Sequence, residues 1–291
     1  MRALAEAWKA RGRLRLLGGR RIFTVDIPAR EAELEAPLLI LHGFPSSSFD
    51  FHRVVDRLAA HRRVLLFDLL GYGLSEKPDL AYSFALQADI AMAFIDDLGV
   101  SRLGLLTHDV GDTLGGELLA RQLEGRWPVE ITDRVLTNGS IYFDLTQFSA
   151  GQRILLDLPD ERLPAGTAID QSTVMAGVTA TFSPATALDP EVIAAQGEMI
   201  THLDGQLLLP RLIRYIDERR NNEARFTGAI ERHPSPLGVV WGVDDPIAVP
   251  AMTDRLCLAR GDVRLRLLAG VGHYPMLEAP DRFLQALSGP E

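Results

Sequence analysis

Short apolar runs that end in polar, glycine-marked loops alternate along this chain with stretches of helical periodicity. Residues 13–27 contain two apolar runs parted by Gly18 and Gly19, which predicts a hairpin. Residues 37–41 and 63–67 are compact runs of buried-strand type. The first ends in His42-Gly43-Phe44-Pro45-Ser46-Ser47-Ser48, whose serines suit the cap of a following helix. The second ends in Asp68-Leu69-Leu70-Gly71-Tyr72-Gly73-Leu74-Ser75. After Ser83, the residues Leu86, Ile90, Phe94 and Leu98 recur at helical spacing with Asp96 and Asp97 off the stripe, the pattern of an amphipathic helix.

Another apolar run, residues 103–106, stops at Thr107-His108-Asp109 and restarts at once as a helical pattern over residues 113–122, with Gly111, Gly115 and Gly116 at the junction. This predicts a strand, a sharp turn and a helix, the layout that holds a nucleophile above the sheet in Gly-x-Ser-x-Gly enzymes. Here the central residue is Asp109. A carboxylate with an ordinary pKa near ~4 is ionised at neutral pH and needs no base to become a nucleophile. Capping of the following helix is the competing role for the same side chain.

Residues 134–137 read as the next strand, closing in Asn138-Gly139-Ser140. Alternating strands and helices from residue 37 imply a parallel sheet covered on both faces, with right-handed crossovers. Ligands of such sheets sit beyond the carboxyl ends of the strands, where His42, Asp68, Asp109 and Asn138 all fall. Strand signals vanish over residues 142–236 and helical stretches such as 191–202 and 206–219 replace them, which predicts a helical insertion. The sheet resumes at residues 237–241, before Gly242-Val243-Asp244-Asp245-Pro246. It continues at 263–268, where Val263, Leu265 and Leu267 alternate with Arg264 and Arg266 as near a sheet edge. That strand leads to Gly270-Val271-Gly272-His273-Tyr274-Pro275, and residues 280–287 supply a closing helix.

A chain of 291 residues, 47% hydrophobic and 24% charged, can bury a substantial core. No apolar stretch approaches the ~20 residues of a membrane span, and the first residues, interrupted by Glu6, Lys9, Arg11, Arg13 and Arg15, do not form a secretory signal. The expected location is cytoplasmic. A net charge of -9 and scattered arginine pairs argue against a nucleic-acid partner. Cys257 is the single cysteine, which excludes an internal disulfide and a thiolate metal cluster. No His, Cys or carboxylate cluster has ligand spacing, so neither a metal nor an organic cofactor is expected. A monomer and a homodimer fit equally.

Asp109, Asp245 and His273 occupy strand ends in the order nucleophile, acid, histidine, which is that of the α/β-hydrolase triad. His273 would be the general base, and the acid would fix its tautomer and orientation. Asp244 competes for the acid role; Asp245 is preferred because it is third after Gly242 and precedes Pro246. Together, His42-Gly43-Phe44-Pro45, Asp68-x-x-Gly71-x-Gly73-x-Ser75, His108-Asp109-x-Gly111, Gly242-x-x-Asp245 and Gly272-His273 resemble the aspartate-nucleophile α/β-hydrolases, over nearly the whole chain from residue 37. The elbow aspartate narrows the resemblance to relatives of epoxide hydrolases, haloalkane dehalogenases and fluoroacetate dehalogenases. Residues 108–119, Asn138-Gly139 and Arg214-Tyr215-Ile216 look like the mesoderm-specific transcript branch of epoxide-hydrolase-like proteins.

The resemblance implies an α/β-hydrolase fold: a mostly parallel eight-stranded sheet flanked by helices, with a helical cap after the sixth strand. The core would comprise residues 1–141 and 237–291, and the cap residues 142–236. It implies that Asp109 attacks an sp3 carbon to give an alkyl ester, that water activated by His273 cleaves the ester, and that Asp245 stabilises the imidazolium. The backbone N–H groups of Phe44 and Val110 are the expected oxyanion donors. His42, His108 and Tyr142 are expected around the substrate pocket, the two histidines as braces of their turns. Asp112, where many relatives have glycine, reads as charge matching at a helix N-terminus.

An opening epoxide needs an acidic O–H, which the family supplies from cap tyrosines. Tyr215 matches the later of these, with packing under the lid as its competing role. The earlier has no clear match, and Tyr142 is the candidate substitute. Family haloalkane dehalogenases instead hold the halide with a tryptophan immediately after the nucleophile, where this chain has Val110; Trp8, Trp127 and Trp241 all lie outside the insertion. Fluoroacetate dehalogenases use arginines after the nucleophile, and Val110 and Asp112 supply no such charge. Epoxide opening on a small apolar substrate is therefore the leading expectation, dehalogenation the second, and a ligand-binding protein without turnover the third. Phe148, Met175, Phe182, Met199 and Ile200 suit either an apolar lid over the pocket or the lid's own core.

Overall fold

The computed structural model describes residues 1–187 and 189–288. Its sheet contains β1 (Gly12–Leu17), β2 (Arg20–Ile27), β3 (Leu38–Leu41), β4 (Val64–Phe67), β5 (Arg102–His108), β6 (Glu130–Thr137), β7 (Leu237–Gly242) and β8 (Arg264–Leu268). The spatial order is β1-β2-β4-β3-β5-β6-β7-β8. β1 and β2 form the expected hairpin, with Leu14 opposite Phe23, and β2 runs antiparallel to β4. Every pairing from β4 to β8 is parallel. β3 and β4 are buried throughout, as strands covered on both faces must be. β8 is an edge strand on which Arg264, Arg266 and Leu267 are exposed, so the alternation read from its sequence is only partial.

Because β3 to β8 run the same way, their carboxyl ends share one rim. The chain leaves β3 toward β4 on one side and comes back past it to β5 on the other, which opens a crevice where β3 and β5 end. The helix after β5, Val110–Leu123, is buried from Val110 to Arg121. It tolerates Gly116 in its interior, although glycine there costs about 1 kcal/mol relative to alanine. An ideal Cβ at this position would lie 2.7 Å from the Phe226 carbonyl oxygen, so the helix Glu223–Arg232 can settle here only on a residue without a side chain.

Between β6 and β7 the described residues form helices and turns but no strand. The helix expected over 206–219 is broken. Leu203 and Asp204 are left-handed at φ 53° and 58°, Pro210 lies in the first turn of the short helix Leu209–Leu212, and Tyr215–Asn221 starts afresh. Proline lacks the N–H that an uninterrupted helix would require there. The helix Ala3–Lys9, not anticipated, buries Ala5 and Trp8 and packs against Pro190–Thr201, and the Arg2 backbone N–H donates to Glu198 at 2.7 Å. No helix among the described residues is long and apolar enough to cross a membrane.

Replacing Gly116 with valine should lower the unfolding free energy by about 1–3 kcal/mol through overpacking against Phe226. Gly177→Ala, in a helix where an added Cβ meets nothing within 4 Å, should be neutral or stabilising by up to about 1 kcal/mol. Urea titration of the two variants checks both signs.

Candidate active site

β5 ends at His108 and the next helix begins at Val110, so one residue makes the whole turn. Asp109 does so at φ 50° and ψ -111°, a region that costs a non-glycine residue roughly 1–3 kcal/mol. Its N–H donates to the Thr137 carbonyl of β6 at 3.2 Å, and its carbonyl accepts the Asp112 N–H at 3.0 Å. Although Asp109 stands at the N-cap position, its carboxylate makes no capping bond. Oδ2 instead accepts the Phe44 N–H at 2.8 Å, from the loop after β3. Gly43 permits that approach, since an ideal Cβ there would lie 2.7 Å from Asp109 Cβ. Val110 opens the helix, so its N–H belongs to the first turn, where no intrahelical acceptor exists.

At the ends of β7 and β8 the buried Asp245 carboxylate is fully engaged. Oδ2 accepts His273 Nδ1–H and Asn138 Nδ2–H, each at 2.7 Å. Oδ1 accepts the N–H groups of Ile247 and Ala248 at 2.8 and 3.0 Å. Asp244 points elsewhere and accepts the Ser183 hydroxyl at 2.6 Å. Asn138, left-handed at φ 49°, also accepts the Gly242 N–H through Oδ1 at 2.9 Å, so it ties the end of β6 to the end of β7. With Nδ1–H donated to Asp245, Nε2 is the ring nitrogen of His273 left for solvent or ligand. Burial lowers the His273 pKa, but the Asp245 charge and hydrogen bond, followed by the charges of Asp109 and Glu278, outweigh it and raise the group above the usual histidine range.

A cavity of about 400 Å³ opens over these groups. Phe44, Asp109, His273 and Tyr274 contribute from the core, and Gln152, Ile154, Leu155, Val174 and Val178 from the insertion. Met175, Phe182, Met199 and Ile200 are buried but do not line it, and Phe182 stacks on Tyr274 at 5.1 Å.

Three expected pocket residues lie elsewhere. His108 Nε2–H donates to the His273 carbonyl at 2.8 Å. His42 accepts the Leu69 N–H on Nε2 and donates Nδ1–H to the Gly43 carbonyl, both at 2.9 Å. Burial lowers the pKa of both rings, so they are neutral braces of the turns, and neither lines the cavity. Tyr142 is turned away, and the adjacent Phe143 N–H donates to Glu223. Its hydroxyl donates to Glu231 at 2.8 Å and Arg255 covers its ring at 4.8 Å, outside the cavity wall.

Tyr215 sits directly behind that wall. Its ring lies 5.4 Å from that of Phe44, and its hydroxyl accepts Gln152 Nε2–H at 3.4 Å. Burial, then the Asp109 charge, raise its pKa. Gln152 was not anticipated as a site residue. Ser149 and Gln152 form a capping box in which the glutamine Oε1 accepts the Ser149 N–H at 2.9 Å, which leaves its amide N–H for Tyr215. The S-x-x-Q spacing was readable as a helix start but carried no hint of this second use. Asp112 also departs from expectation: it is buried, takes a hydrogen bond from Thr107, and desolvation lifts its carboxyl to about 8. It is therefore mainly uncharged at neutral pH and does not act as a charge at the helix start. Among the described residues, no group of three or more His, Cys, Asp or Glu side chains could hold a metal ion.

This fold and this arrangement of strand-end residues place the chain in the alpha/beta hydrolase family, to which it belongs: the family model matches residues 38–286. The chain is 37% identical over 254 residues to LipZ of Mycobacterium tuberculosis, covering 86% of each. It is 32% identical over 292 residues to the mesoderm-specific transcript homolog protein of Homo sapiens, covering 97% of this chain and 86% of that one. Among solved structures, an alpha/beta hydrolase fold protein from Burkholderia ambifaria superposes with a TM-score of 0.76 at 26% identity, covering 94% of this chain and 96% of that one.

The Asp112 carboxyl holds its proton more tightly folded than unfolded. Its contribution to stability is thus fully present below about pH 4 and lost as pH rises through about 8. Asp112→Asn should flatten the fall in unfolding free energy between those limits and be the more stable protein at pH 8. Urea titrations across that range check this, and an unchanged slope would contradict it.

Proposed function

We propose that this chain is a hydrolase that opens small apolar epoxides to vicinal diols through a covalent ester on Asp109. The observation that carries the reading is the Asp109 carboxylate itself: uncapped, at the base of an apolar cavity beside His273, with Oδ2 held by the Phe44 N–H at 2.8 Å. One oxygen of the carboxylate is thereby assigned to the oxyanion position and the other, Oδ1, is free to attack. In the first step Oδ1 bonds to an epoxide carbon, the ring C–O bond breaks, and the departing oxygen takes the proton of the Tyr215 hydroxyl; Tyr215 meets the cavity between Phe44 and Gln152, two wall residues it touches. The Gln152 amide supports that transfer, because it donates to the phenol oxygen and leaves the phenol proton uncommitted.

In the second step His273 Nε2 removes a proton from water, and the resulting hydroxide attacks Asp109 Cγ. Charge develops on Oδ2, where the Phe44 and Val110 N–H groups meet it. Collapse breaks the ester C–O bond, the imidazolium returns its proton to the departing alkoxide, and the second proton of the water, left on the regenerated Asp109 carboxyl, passes to the Tyr215 phenolate as the diol leaves. The order of events suits the electrostatics. Asp109 is a cause of the raised pKa of both His273 and Tyr215. Once esterified it is neutral, so the phenol becomes a better acid as it donates and the histidine is more readily unprotonated when it must act as base.

Dehalogenation by the same covalent step is supported less well. None of the cavity-lining residues is a tryptophan, and the Trp241 indole N–H is committed to the Ala248 carbonyl at 2.8 Å. No arginine or lysine lines the cavity either, so a haloacid carboxylate would find no cation there.

Incubation with styrene oxide should yield the vicinal diol. Asp109→Ala should abolish turnover, and Tyr215→Phe should slow it by about 10²-fold or more, the usual weight of a positioned acid. Undiminished turnover by Asp109→Ala would remove the proposed nucleophile, and halide release from haloalkanes without diol formation from epoxides would favour the rival chemistry.

A further inference from the structure

The helix Tyr215–Asn221 carries a second buried group that the scheme above leaves idle. Arg219 lies one turn beyond Tyr215, is only 3% exposed, and places its guanidinium carbon 5.0 Å from the centroid of the Tyr215 ring. Its Nε–H donates to the Thr113 hydroxyl of the helix after β5 at 2.8 Å. Nη2 is buried with no hydrogen-bond partner, and among the described residues no carboxylate forms an ion pair with it. The exposed neighbours on the same stretch behave differently: Arg220 pairs with Asp217 at 3.0 Å. Burying a cation without a counter-charge costs several kcal/mol, and a neutral hydroxyl does not offset that.

We infer that Arg219 is a positioning residue whose unpaired guanidinium, stacked on the Tyr215 ring, stabilises the phenolate that forms when Tyr215 gives its proton to the opening epoxide. The inference rests on the reading of Tyr215 as the ring-opening acid. In the resting enzyme the cation meets the quadrupole of a neutral ring, a contact of about 0.5–2 kcal/mol. When the proton leaves, the ring becomes an anion at the same distance in a desolvated site, and the attraction strengthens at the moment it accelerates the reaction. The direction of the charge effect agrees: Arg219 opposes the burial and the Asp109 charge that hold the phenol proton. The same guanidinium opposes the burial that raises the pKa of Tyr72 and Asp112, so its field reaches the region behind the nucleophile. The elbow contact through Thr113 fixes the plane of the guanidinium relative to Asp109.

The test is a double-mutant cycle on the alkylation half-reaction, measured in single turnover with styrene oxide. Arg219→Gln should slow ester formation by about 10–100-fold in the wild-type background, a share of what a positioned acid contributes. In the Tyr215→Phe background the same change should cost no more than about twofold, the limit of ordinary additivity. Arg219→Lys, which keeps the charge, should recover most of the rate. Equal losses in both backgrounds, or a lysine variant as slow as the glutamine variant, would overturn the inference and mark Arg219 as structural. Should Arg219→Gln not fold, as judged by circular dichroism, Arg219→Met takes its place in the cycle. Wild-type protein that neither turns over nor becomes esterified by styrene oxide would overturn the reading of function, and this inference with it. Turnover with equal losses would overturn the inference alone.

Discussion

The hydrogen bond from the Phe44 N–H to Asp109 Oδ2 is the contact on which the rest of the site depends. It joins the ends of β3 and β5, the two strands between which the order of the sheet reverses. It can form only because Asp109 accepts a left-handed backbone and Gly43 offers no side chain. That backbone is unfavourable for an aspartate and is maintained by bonds to β6 on one side and to the following helix on the other. The sheet therefore serves as a rigid frame that holds one carboxylate in a conformation it would not adopt alone.

Around this point the charges form a graded set. Asp245 has four donors and anchors His273; His273 is pushed toward its protonated form; Asp112, a turn further along the helix from Asp109, is pushed toward neutrality. Burial alone would discharge most of these groups. What separates them is how many donors each one meets. Asp245 lies where two strand ends and a turn converge, whereas Asp112 has only a hydroxyl and a backbone group and leaves Oδ2 unpartnered. Neutral His42 and His108, each fixed to backbone, hold the turns without adding charge to the cavity.

Much of this was legible beforehand because it rests on local chemistry. Period and punctuation located every strand to within a few residues, the break at Tyr142 announced a stretch of helices without a strand, and glycine-flanked turns marked the ends of β5, β7 and β8, where Asp109, Asp245 and His273 stand. Preference for Asp245 over Asp244 followed from spacing, and the geometry sets Asp245 against the imidazole. What depended on long-range packing was not legible. Tyr142 was a candidate by position, but nothing local says that its neighbour is tied to Glu223, eighty residues on. Gln152 and Arg219 had no local signal of their contacts with Tyr215, which join residues from separate elements or residues one turn apart on a helix. The seven-residue helix Ala3–Lys9 is too short for periodicity to register and exists because Ala5 and Trp8 find a surface to bury.

The covalent role of Asp109 is tested most directly by stopping the reaction between its two halves. His273→Gln retains the nucleophile and its Phe44 contact but lacks the base for ester hydrolysis. Mixed with styrene oxide and examined as intact protein by mass spectrometry, that variant should gain the mass of one substrate molecule, and peptide mapping should place the addition on Asp109. An adduct that is absent while the wild-type enzyme still makes diol, or one that maps to a different residue, would contradict the account.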